Sequence, residues 1–178
     1  MIAMHAADHF VTLARYHLWA TGRLLDAVQM LSDADYRRDV GLFFGSVHGT
    51  LNHLLVAEHQ IWWQRLTMGQ SPQAQLNAIV HEDRGMVDVQ LRSLSARWQS
   101  WIPTLDTERW AGDLHYTTMH GTAVRLPLAA TVAHVFNHAT HHRGQITTAL
   151  TQLGVESPAL DLIYYLQQAF VPAAQTTA

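Results

Sequence analysis

Residues 127–154 read PLAATVAHVFNHATHHRGQITTALTQLG. With His134 set at zero and a turn of roughly 100° per residue, Leu128, Val135, Ile146, Leu150 and Leu153 fall together at roughly 100–160°. An apolar face sustained over so long a segment marks an amphipathic helix that needs partner helices to cover it. Pro127 suits the first helical turn, and Gly154 suits the position just past the last one. On the same wheel His142 falls near roughly 80°, on the core face, and His138 near roughly 40°, at its edge. His134 and His141 lie further round, toward solvent or a neighbouring helix.

Outward from this helix the chain repeats the pattern. From about Ala7 to Leu31, Phe10, Leu13, Ala14, His17, Leu18, Thr21, Leu24, Leu25 and Val28 recur at three- and four-residue steps. Asp35 is read as the cap of a short turn through Arg38. Ser46 is read as the N-cap of a second long helix that Gly69 and Pro72 end near Met68. Residues 71–80 read as loop. A third helix is expected over about His81 to Trp101, with Met86, Val89, Leu94 and Trp98 inward and Pro103 closing it. Residues 112–126 are rich in Tyr, Thr and Val around His120-Gly121, which predicts a small β-hairpin or extended excursion. A short helix over residues 159–170 and a frayed tail, VPAAQTTA, end the chain. The expected fold is all-α: a four-helix bundle with one β excursion, in a single domain over 1–178 whose core spans about 6–170.

Composition narrows the function. With 14 acidic and 11 basic residues and a net charge of −3, there is no basic field for nucleic acid or anionic lipid. No apolar run reaches the ~20 residues of a membrane span, and the N-terminus MIAMHAADHF lacks the features of a secretory signal. A cytoplasmic protein is the resulting expectation. The chain has no cysteine, which excludes disulfides, thiolate metal sites and a cysteine nucleophile. It has 13 histidines among 178 residues, and histidine is the commonest metal ligand.

His138 and His142, four residues apart on one helix, place their Cβ atoms ~5–6 Å apart, so both rings can reach one ion. Zinc or nickel needs at least a third protein ligand. His17 sits in the apolar stripe of the first helix, and His53 at the edge of the second helix's apolar face. His48 and His59 point further away. Spacing does not choose among them.

Four segments, in order, resemble the DinB (damage-inducible) family: RYHLWATGRLL at 15–25, GTLNHLLVAEHQIW at 49–62, HVFNHATHHRGQI at 134–146 and LGVESPALDLIYYL at 153–166. The resemblance implies a four-helix bundle, often a homodimer, that holds a divalent metal ion on three histidines. It assigns these to His53, from the NHLL segment, and to His138 and His142, from NHxxxHRGQ. The family often carries Asn where this chain has His17 and Thr21. His17 is therefore expected as a group behind the ligands rather than a fourth one, because ligating histidines need partners for their other ring nitrogen. Asn52 and Asn137, each adjacent to a ligand, are expected as polar ties between helices.

Three imidazoles leave a coordination position open to water, a thiol or a carbonyl oxygen. By analogy with members of the superfamily, transfer of a low-molecular-weight thiol is the first expectation. Metal-dependent hydrolysis of a small molecule is the second. A non-catalytic, stress-associated protein with a structural metal is the third. Glu58 is the carboxylate nearest a ligand in sequence, but at roughly 100° per residue it points roughly 140° from His53. It is expected at the surface or paired with Arg143. Trp62, Trp63, Trp98, Trp101 and Trp110 are expected in the core or at a dimer contact.

Overall fold

The computed structural model describes residues 6–170, so the expected fraying of VPAAQTTA at 171–178 lies outside the described residues. The amphipathic stretches become the helices α1 (Ala6–Val28), α5 (Arg84–Trp101) and α7 (Leu128–Gln152). The second long segment is α3 (Val47–Leu54), a π-helical stretch (Leu55–Trp62) and α4 (Trp63–Met68) in unbroken succession. Shorter pieces join them: α2 (Asp33–Arg37), a 3₁₀ turn (Ile102–Thr104), α6 (Thr107–Ala111) and α8 (Leu162–Phe170). The described residues are thus mostly helical, and none of their helices is long and apolar enough to cross a membrane.

Local chemistry explains the boundaries. Ser46 Oγ accepts from the Gly49 N–H at 3.0 Å and starts α3, while Gly69, at φ 68°, ends α4 in the left-handed region. The cap of α2 is Ser32, whose Oγ accepts from the Asp35 N–H, so Asp35 is a helical residue and not the cap. Asp83 caps α5, which therefore begins three residues later than expected. The inward stripe of α5 is Val87, Leu91, Ser95 and Trp98, whereas Met86 and Val89 face solvent. Steps of four, four and three keep that stripe on one face, and Met86 and Val89 fall on the opposite one.

The excursion before α7 is a hairpin of β1 (Asp113–Thr117) and β2 (Ala123–Pro127), antiparallel with His115 opposite Arg125, turning at Gly121. Its outer edge takes up the chain leaving α4: the Thr117 N–H donates to Gly69 O, and the Ser71 N–H donates to Thr117 O. This pins the start of the 71–80 segment beside the hairpin.

α1 packs on α5 and α7, and α3 packs on α7 and α5. The buried apolar residues fall into two clusters. One holds Leu24, Leu25, Leu51, Leu91, Ile146 and Leu150, and the other Phe10, Trp98, Ile102, Leu128, Val132 and Phe136. Along α1 and α7 a polar layer separates the clusters: His17 lies between Ala14 and Leu24, and His138, His142 and Arg143 lie between Phe136 and Ile146.

Candidate metal centre

The site is built where α3 runs into the π stretch and crosses α7. His53, near the end of α3, and His142 are buried, and His138 is partly buried. His53 Nε2 lies 3.1 Å from His138 Nε2, which lies 3.1 Å from His142 Nε2. The structure therefore brings all three expected ligands together.

Their outer nitrogens decide what the inner ones are. His53 Nδ1 lies 2.8 Å from the Leu76 carbonyl oxygen, which only accepts. His142 Nδ1 lies 2.8 Å from Gln145 Oε1, whose amide nitrogen turns the other way to His141. His138 Nδ1 lies 3.4 Å from Glu58 Oε1. The Leu76 carbonyl and the Gln145 amide oxygen only accept, so the Nδ1 of His53 and of His142 carries the proton, and in neutral imidazoles their Nε2 atoms present lone pairs toward His138. Lone pairs at this separation repel unless a proton or a cation lies between them. The spacing is close to the edge, roughly 3.3 Å, of a tetrahedron of nitrogens about 2.0–2.1 Å from a zinc-sized ion. The donor set therefore fits a divalent metal.

Burial keeps the His53 and His142 rings neutral. It lowers His53 to about 4, aided by His138 and opposed by the Leu76 hydrogen bond. It lowers His142 to about 4, with His138 adding to the effect. Phe44 covers one flank, its ring lying flat on His53 at 3.8 Å and 17°. Gly49 permits this approach, since a Cβ there would stand 2.1 Å from the Phe44 carbonyl oxygen. Asn52 secures the other flank: its Oδ1 accepts from the Val80 and His81 N–H groups, and its Nδ2 donates to His81 O. It ties α3 to the end of the 71–80 segment, not to another helix, and Asn137 is exposed to solvent.

Glu58 overturns the sequence reading. It is 1% exposed, and its Oε1 faces His138. The reason is the π stretch, in which the Trp63 N–H bonds to Glu58 O, five residues back. The wider turn swings Glu58 round to the side that His53 occupies, where a regular α-helix would carry it away. Burial raises its pKa, while the hydrogen bond from His138 opposes that shift. It forms no ion pair with Arg143 among the described residues.

His17 stands behind Glu58, with its Nε2 3.7 Å from Glu58 Oε2, and is not among the three converging histidines. Arg143 Nη1 donates to His17 Nδ1 at 3.2 Å, which places the ring proton of neutral His17 on Nε2, toward Glu58. His17 therefore has no lone pair for a metal on that side. Arg143, His17, Glu58 and His138 thus stand in one row, with His17 Nε2 buried and making no hydrogen bond of its own among the described residues. His59 is buried against the same carboxylate, its Nε2 3.9 Å from Oε2, and burial lowers its pKa to about 3. His48 is also buried, bonded to His81 O and Arg37, and is not among the three converging histidines.

A cleft of about 310 Å³ opens on His53 and His138 and is walled by Ile61, Trp62, Arg65 and Met119. His134 stands at its exposed rim, edge-on to Trp62. No aspartate or glutamate lines it. Trp98 and Trp110 are core residues as expected, but Trp62 is a cleft wall. The partners of the ligands that periodicity missed, Phe44, Glu58 and Leu76, share no motif with them; only Gln145, three residues after His142, carried a spacing signal.

Comparison with known proteins follows these lines. The model of the DinB family matches residues 4–176. Protein DinB of Bacillus subtilis (strain 168) is 24% identical over 168 residues, covering 90% of this chain and 95% of its own length. The solved structure of YfiT from Bacillus subtilis, described as a probable metal-dependent hydrolase with an unusual four-helix bundle topology, superposes with a TM-score of 0.59. The match has 18% identity over 80% of this chain and 86% of that one.

Proposed function

The chain belongs to the DinB family, and from that premise we propose that it is a metal-dependent enzyme of the same bundle architecture. His53, His138 and His142 hold one zinc or nickel ion whose open position faces a small-molecule cleft. The observation that carries this reading is the convergence of three Nε2 atoms, His138 Nε2 lying 3.1 Å from each of the other two. A divalent ion there supplies Lewis acidity and makes a bound water or thiol more acidic.

The residues around the site have distinct tasks. Leu76, Glu58 and Gln145 hold the ligand rings. Phe44 excludes water from one side, and His134, at the rim of the cleft, is placed to move a proton between bulk water and a bound molecule. Hydrolysis is the first reading, supported by His134 and by the description of YfiT. Thiol transfer is the second, favoured by a cleft with no carboxylate to act as general base and by its apolar walls. A purely structural metal is disfavoured, because His17 is directed to Glu58 and Arg143, and a cleft opens on the ligands instead of a fourth protein group.

The test is elemental analysis of untagged protein, with about one metal per chain expected and less than half of that in His142→Ala. Retention of most of the metal by this variant refutes the three-histidine site. Metal-dependent turnover of simple esters and amides, against that of thiols with electrophiles, then separates the two reactions.

A further inference from the structure

We propose that Arg65 is a carboxylate-binding subsite at the end of the cleft, so that the molecule handled at the three histidines is a small organic acid. This rests on the reading of those histidines as a metal site and adds the substrate class to it.

His53, Ala57, Ile61 and Arg65 follow one another at four-residue steps and form one continuous wall of the cleft. Helical side chains lean toward the N-terminus of their helix, so Arg65 leans back along this wall toward His53. Its guanidinium lies between two rings, with the central carbon 4.7 Å from the Trp62 centroid and 4.7 Å from that of Tyr116. Its Nε donates to Ser71 Oγ at 2.8 Å. These three contacts fix the plane of the group and use its Nε edge. Both terminal NH₂ groups are left without a protein hydrogen bond among the described residues.

The electrostatics point the same way. Arg37, Arg38, Arg92 and Arg125 each lie within 4.0 Å of a carboxylate, and of the arginines that do not, Arg84, Arg97, Arg109 and Arg143 give terminal nitrogens to protein acceptors and Arg15 and Arg23 are exposed, so that among the described residues Arg65 is the half-buried arginine with neither. No acidic residue lines the cleft to balance it. Holding a desolvated cation without a counter-ion is costly unless a ligand supplies the charge. A rigid guanidinium with two free NH₂ groups in one plane is the match for the two oxygens of a carboxylate. A phosphate dianion is more often cradled by several backbone N–H groups or a helix N-terminus. The apolar walls contributed by Ile61, Trp62 and Met119 suit the hydrocarbon between the acid and the reacting group.

The test uses zinc-loaded protein and calorimetric titration with mercaptocarboxylates of increasing chain length, each against the mercaptoalcohol of equal length. In the wild type the best-fitting acid binds at least tenfold more tightly than its alcohol. In Arg65→Gln the preference falls within twofold, while zinc content and affinity for the alcohols are unchanged. Arg65→Lys, which keeps the charge and much of the packing but loses the planar fork, serves if the glutamine variant does not fold; it shows a reduced preference. A wild type with no preference at any length, or one retained in both variants, overturns the proposal. If the chain takes up no zinc, the metal reading fails on its own. Titration of the metal-free chain with hexanoate against hexanol then still judges Arg65: acid preference lost in Arg65→Gln supports it, and equal binding overturns it.

Discussion

Replacing Glu58 by glutamine removes a charge from behind His138 while keeping the shape of the side chain and an acceptor oxygen. The carboxylate is 1% exposed, and its Oε1 is 3.4 Å from His138 Nδ1. That separation is at the long end of the hydrogen-bond range, so the contact is a weak hydrogen bond in a buried setting. Groups that orient metal-ligating histidines are worth roughly 10- to 100-fold in metal affinity, or about 1.4–2.7 kcal/mol. Glu58→Gln is expected near the tenfold end. Glu58→Leu is expected nearer a hundredfold, because it also leaves the His138 Nδ1–H without an acceptor and frees the ring to turn a proton toward the other two histidines. The metal-free protein responds with the opposite sign. Its buried carboxylate loses hydration that the neighbouring histidines replace only in part, so neither variant is less stable than the wild type without metal. Competition against a chromophoric chelator measures the affinity, and urea denaturation of the metal-free chain measures the stability. Affinities within twofold of wild type in both variants refute the role of Glu58 behind His138. A loss as complete as that of His142→Ala shows instead that Glu58 is itself a ligand.

Two further outcomes are expected. Burial holds His53 and His142 at about 4 and His59 at about 3, all below the unfolded value of roughly 6.5. The unfolded chain therefore binds more protons between these values: the stabilisation is full above about 6.5 and is lost as pH falls toward 4 and 3, at about 1.4 kcal/mol per pH unit for each histidine titrating. Denaturation midpoints of the metal-free chain that stay flat from pH 7 to pH 4 contradict the burial of these rings. Gly49→Ala drives a methyl group into the Phe44 carbonyl oxygen, 2.1 Å from where its carbon must sit. It is expected to cost about 1–3 kcal/mol in urea denaturation and to lower metal affinity as Phe44 leaves His53; a variant matching the wild type in both refutes the close approach.

The long helices were legible because their apolar residues keep a regular period and their ends carry recognisable signals, Ser46 and Gly69 for one, Pro127 and Gly154 for another. The pair His138 and His142 was legible for the same reason. His53 was not separable from His17 by spacing; resemblance to a family supplied it, and in the structure His17 stands apart from the three converging rings, beside Glu58 and His59. Glu58 was misread because a wheel with a constant angle per residue cannot contain a π stretch. The local widening at Leu55–Trp62 is a choice of backbone hydrogen bonds whose benefit lies in what it buries across the molecule. Likewise nothing in the segment 71–80 announces that its Leu76 carbonyl fixes a ring 23 positions earlier. Irregular segments act through single backbone groups, and those carry no side-chain pattern.

That carbonyl has a consequence for how the site behaves as a whole. Leu76 lines the cleft and, through its carbonyl oxygen, holds the proton of His53, while Asn52 anchors the same segment at Val80 and His81. A molecule entering the cleft and displacing Leu76 also releases His53 to rotate, and one that presses Leu76 inward tightens it. In the proposed metal centre, occupancy of the cleft and retention of the ion are therefore thermodynamically linked, and linkage is reciprocal. Whatever factor a bound molecule applies to the affinity for the ion, the ion applies to the affinity for that molecule. The hold on the proposed ion is then a property of the cleft's contents as much as of three imidazoles.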